Sequence, residues 1–106
     1  MKTAWLLLFF AGVTEVTWAI AMKYSEGFTR VAPSVLTAVF YIASAVLLSI
    51  ALHKLPLGTA YAIWTGMGIV GTTVLGLLLF HETLTPAHVA CLLMIVGGIA
   101  GLKMLA

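Results

Sequence analysis

Four long apolar runs, joined by connections of only a few residues, leave this chain one obvious way to satisfy its backbone. The runs cover about 4–22, 32–52, 57–80 and 86–105. Each approaches the ~20 residues a helix needs to cross the hydrocarbon core of a bilayer. In lipid every peptide N–H and C=O must be paired inside the protein, which a helix does by itself. Of the 106 residues, 63% are hydrophobic and 8% charged, whereas a soluble domain carries about a quarter charged residues. The fold class expected is therefore all-α and integral to the membrane, with residues 1–106 forming a single four-helix transmembrane domain. Pro33, Pro56 and Pro86 fall near the expected helix starts, where a missing N–H costs little. Short connections make consecutive helices antiparallel.

The first run is read as a retained helix rather than a cleaved leader. Lys2, the apolar stretch and Ala19-Ile20-Ala21 fit a leader loosely, but Thr14, Glu15 and Thr17 interrupt it. Lys2, Lys54 and Lys103 fall on the side that holds both termini, and Lys23 and Arg30 fall on the other. That bias is weak for the rule that normally fixes orientation. Insertion both ways round is expected, so that two copies can pair upside down as an inverted repeat. A partner is needed in any case, because four helices of this length cannot both enclose a wet cavity and shield it from lipid. Gly97 and Gly101 form a G-x-x-x-G in the fourth run, with Gly98 and Ala90 nearby, and permit close packing of a dimer. Packing of these glycines within one chain is the plainer alternative.

Glu15 lies deep in the first run. A carboxylate at that depth costs several kcal/mol and normally faces a cavity, a cation or the bundle interior. The plainer role is a permanently protonated side chain bonding two helices. Gly12, Trp18 and Ala19 share its face by helical spacing. Gly12 leaves room, and Trp18 offers an indole N–H to a carboxylate and a ring face to a cation; an interfacial anchor is the alternative for Trp18. In the third run Tyr61, Trp64, Thr65 and Gly68 recur at one face. Gly66, Gly68 and Gly71 crowd the middle of that run, where glycines weaken a helix and often mark a bend. Ser44 sits near the middle of the second run, within expected reach of Glu15 or Tyr61, though a membrane serine is as often satisfied by its own helix.

Such a site suits exchange of a cation for a proton. Burial favours the neutral carboxyl, so Glu15 is expected to hold a proton when the cavity is empty. An arriving cation favours the carboxylate and drives the proton off. Either loaded form can change sides; the empty, charged form cannot easily do so.

Other functions find little support. The net charge of +2 is scattered, which argues against nucleic-acid binding. No nucleophile–base pair or phosphate loop appears, so an enzyme is not expected. His53, His81 and His88 lack the spacing of a metal site, and Cys91 is a small packing residue. Glu26 beside Lys23 and Arg30 reads as ordinary loop charge.

At these residues the chain resembles the small multidrug resistance family, and within it the guanidinium-exporter branch. The similarity lies in G-V-T-E-V-T-W (12–18), K-Y-S-E-G-F-T-R (23–30), L-P-L-G-T-A-Y-A-I-W-T-G-M-G (55–68) and G-L-K (101–103). It covers essentially the whole chain. The resemblance implies an antiparallel homodimer in a bacterial inner membrane, exchanging protons for small organic cations without a cofactor. It also implies that Glu15 binds proton and substrate, that Trp18 and Ser44 hydrogen-bond the carboxylate, that Tyr61 competes for it as a switch, and that Trp64 walls the pocket. Gly12, Trp18, Trp64-Thr65-Gly66 and Lys103 look like the guanidinium branch. Tyr41 and Ile69, at the pocket periphery, look like the multidrug branch and would admit guanidiniums bearing an apolar tail. The runner-up functions are a broad exporter of quaternary ammonium and other hydrophobic cations and, of another class, a non-transporting membrane subunit or small pore former.

Overall fold

A computed structural model describes residues 2–105. It comprises four helices in series: α1 (Lys2–Tyr24), α2 (Val31–Ala51), α3 (Leu57–Leu79) and α4 (Pro86–Leu105). Each is long and apolar enough to span a membrane. Pro33 sits in the first turn of α2, Pro56 is the N-cap of α3, and Pro86 opens α4. α4 is further fixed by a reciprocal cap. The His88 N–H donates to Thr85 Oγ1, and the Thr85 N–H donates back to His88 Nδ1, both at 3.2 Å. His88 thus plays the third-position part of a capping box.

The connection from α1 to α2 turns through Glu26, Gly27 and Phe28, all at positive φ. The turn closes on Ser25, which is fully buried. Its hydroxyl donates to the Met22 carbonyl at 2.5 Å and accepts the Phe28 N–H at 3.1 Å.

α1 is the central helix, packing on α2 and α3, while α4 leans chiefly on α3. The core occupies the end that holds the termini. There Ala4, Leu8 and Ala11 of α1 meet Leu48 and Ala51 of α2, Leu55 of the connection, and Ala60 and Ile63 of α3. Small residues at these spacings let the helix backbones approach closely. The opposite half is looser. Among the described residues α4 has none buried, so most of its long apolar surface beyond the Ile95 and Ile99 contact with α3 is left uncovered within the chain.

Candidate functional site

Glu15 lies midway along α1 and faces α3. A Cβ built on Gly68 would stand 2.6 Å from the Glu15 Cδ and 2.7 Å from both carboxylate oxygens. The missing side chain of Gly68 is therefore the seat of the carboxylate. Neighbouring glycines do similar work. Gly71 receives Val16, Gly12 of α1 receives Met67, and Gly66 receives Ile99 of α4. α3 runs as one uninterrupted helix through Gly66, Gly68 and Gly71. Each of the three glycines is the place where a neighbouring helix's side chain approaches closely.

Three buried polar atoms at this level have no hydrogen-bond partner: Glu15 Oε2, Trp18 Nε1 and Thr65 Oγ1. Such atoms are expensive in apolar surroundings.

Ser44 is fully buried but does not bond Glu15. Its hydroxyl donates to the Ala11 carbonyl at 2.7 Å and accepts the Trp64 indole N–H at 3.0 Å. Ser44 is engaged by a backbone acceptor of α1 and by the Trp64 indole, while the Glu15 carboxylate is seated on Gly68 of α3. Trp18 likewise meets an aromatic neighbour rather than the carboxylate. Its ring lies edge-on to Tyr41 with centroids 5.1 Å apart. The Tyr61 ring lies tilted against Trp64 with centroids 5.4 Å apart, two turns from Gly68, and so stands away from Glu15 of its own chain. Trp64 joins the two groups, holding Ser44 through its nitrogen and Tyr61 through its ring. Tyr41 and Ile69 are both exposed on the lipid-facing or partner-facing surface.

Lys103 does not reach the neighbourhood of Glu15 either. Its ammonium sits over the Trp5 ring, 5.1 Å from the centroid, about 15 Å along α1 from Glu15. Gly97 and Gly101 meet nothing within 4 Å, and neither does Gly98. The alternative in which these glycines pack within one chain therefore fails.

The pairing of Lys23 with Glu82 was not expected from the sequence. Lys23 pairs with Glu82 at 2.7 Å rather than with Glu26, at the rim of a cavity of about 480 Å³ that Ala19, Thr72 and Thr73 also line. The available signal was their opposite charge at the same end of two parallel helices.

A carboxylate seated between membrane helices, with unpaired polar atoms around it, defines a small polytopic membrane protein of the transporter class rather than an enzyme. Sequence comparison is specific. The profile described as Small Multidrug Resistance protein matches residues 3–95. A guanidinium exporter of Citrobacter freundii is 50% identical over 101 residues, covering 95% of this chain and 96% of that protein. One from Yersinia pseudotuberculosis serotype I (strain IP32953) is also 50% identical, over 95% and 97% of the two chains. A third, from Salmonella typhimurium (strain LT2), is 48% identical over 95% and 96%. The chain belongs to the small multidrug resistance family.

Proposed function

We infer that this protein exports guanidinium and small substituted guanidiniums across the bacterial inner membrane in exchange for protons, both competing for Glu15. The observation that carries this is the Glu15 carboxylate on Gly68, with Oε2 unpaired and no salt bridge to it among the described residues. Guanidinium is planar, permanently charged and rich in N–H donors, and it matches a carboxylate in pairs. The names of the relatives at about half identity over nearly the full chain support the same cargo. Tyr41 against Trp18 makes one edge of the site aromatic, a surface suited to the apolar tail of a substituted guanidinium. The exchange needs no cofactor; the proton gradient drives it.

The working unit is a homodimer of oppositely inserted copies. Its support is the largely uncovered α4, the empty space over Gly97 and Gly101, and a site whose polar atoms are incomplete within one chain. A second copy shields the site from lipid. Ser44 and Trp64 brace the pocket wall through their shared hydrogen bond, and Tyr61 moves with Trp64 when the site changes sides.

Proteoliposomes test the cargo. With an imposed proton gradient, guanidinium is expected to exchange robustly, and tetraethylammonium weakly or not at all. Robust movement of tetraethylammonium alone overturns the assignment in favour of a broad exporter of hydrophobic cations.

A further inference from the structure

Beyond the outer end of α3, a second carboxylate, Glu82, lies against the α1–α3 pair. α1 and α3 run parallel, and their contacts climb in register. Glu15 rests on Gly68; Ala19 and Thr72, one turn further, line the cavity; Lys23 and Gly76, another turn on, line its outer rim. Glu82 rests on Gly76 as Glu15 rests on Gly68. The two glycine seats are separated by about 12 Å along α3. The cavity of about 480 Å³ begins one turn beyond Glu15, at Ala19 and Thr72, and extends outward to Glu82 and His88; it is ample for a small organic cation.

The backbone is shaped to put Glu82 there. His81 takes a left-handed conformation with φ 55, uncommon for a residue other than glycine. It folds the chain back so that the Glu82 N–H donates to the Gly76 carbonyl at 3.3 Å. A residue with a Cβ at position 76 would collide with the carboxylate. Lys23 then reaches across from α1 to Glu82 at 2.7 Å, its ammonium also 4.6 Å from the Phe80 ring centroid. Both partners remain about half exposed. An exposed pair of this kind is weak and easily exchanged. That is unfavourable for a structural staple and well suited to a site that must open in each cycle.

We propose that Glu82 is an outer cation-binding carboxylate on the transport path, masked by Lys23 in the resting state and uncovered when a substrate cation displaces the lysine ammonium. This rests on Glu15 as the principal site. Guanidinium and the Lys23 ammonium are both N–H donors to the same oxygens, so one replaces the other without leaving the carboxylate unpaired. In an inverted dimer each membrane face carries one such pair, giving both entry and exit a charged stop.

The masking arrangement predicts opposite effects from its two partners, whereas a mere staple predicts the same effect from both. Guanidinium–proton exchange at subsaturating substrate and low ionic strength is measured for wild type, Glu82→Gln and Lys23→Gln, with equilibrium guanidinium binding measured alongside. Glu82→Gln is expected to slow exchange roughly fivefold, the scale of attraction in an exposed ion pair. Lys23→Gln is expected to raise exchange, and to lose that advantage at high salt. Binding at Glu15 should stay within twofold in both. Equal slowing by both variants, or no slowing by Glu82→Gln, overturns the proposal. The charge exchange Lys23→Glu with Glu82→Lys separates the cases again: a staple is restored by it, and a cation site on α3 is not. Failure of the wild type to bind guanidinium at all would instead count against the cargo assignment.

Discussion

The two halves of α1 are made from similar apolar residues and behave differently. From Ala4 to Ala11 the helix is locked, with Ala4, Leu8 and Ala11 almost wholly covered by α2 and α3. From Glu15 to Lys23 only Ala21 is buried, and Ala19, Ile20 and Lys23 border a cavity. The difference comes from what faces it. Alanines and leucines interlock at the first half, while Gly68 and Gly76 present bare backbone to carboxylates at the second. One end can therefore act as a fulcrum and the other as a site, within a single helix. In lipid, with no hydrophobic drive between helices, close packing and hydrogen bonds must hold the fulcrum.

The sharpest way to break this contrast is at Glu15. Glu15→Gln keeps the shape but cannot release a proton, so proton-coupled exchange in proteoliposomes is expected to vanish while the protein still folds. Retained coupling would place the exchange elsewhere, and an unaltered activity would favour a pore or a non-transporting subunit.

The closed half should respond in the opposite sense. Leu8→Ala opens a cavity at a fully buried position, which costs about 2–5 kcal/mol in soluble cores. In lipid the transfer part is small, so the lower end, about 2 kcal/mol, is expected. Thermal unfolding in detergent checks it, and the pH profile of substrate binding should be unmoved.

Ser44→Ala is the smaller perturbation. It leaves the Trp64 indole N–H without its acceptor, a loss of about 1–3 kcal/mol for a buried donor. The expected signs are a lower unfolding temperature and altered Trp64 fluorescence. An effect on affinity greater than on stability would instead draw Ser44 to the substrate.

The sequence made the helices plain because four apolar runs of bilayer length have few alternatives. Glu15 stood out for the same reason: charge is rare there and conspicuous. What hydropathy could not reveal was the rotation of each helix about its axis. Ser44 and Glu15 both lie at mid-membrane, yet Ser44 bonds the Ala11 backbone carbonyl while Glu15 is seated on Gly68. The third-run glycines read as a weakness of one helix, and what the sequence did not show is that they also receive its neighbours' side chains. Lys23 and Glu82, 59 residues apart, were each legible only as loop charge, since their pairing depends on two helices running parallel. Gly97 and Gly101 needed the structure for another reason: both readings of G-x-x-x-G are identical in sequence, and only the empty space above them excludes packing within the chain.

If hydrogen ions and guanidinium compete for Glu15, the most direct measurement is guanidinium binding to the purified wild-type protein across a pH series. Only the deprotonated carboxylate accepts the cation, so affinity should rise by about tenfold per pH unit on the acid side of the carboxyl titration and level off above it. Glu15→Gln should abolish the dependence. An affinity that stays constant from acid to alkaline pH would contradict the shared-carboxylate account.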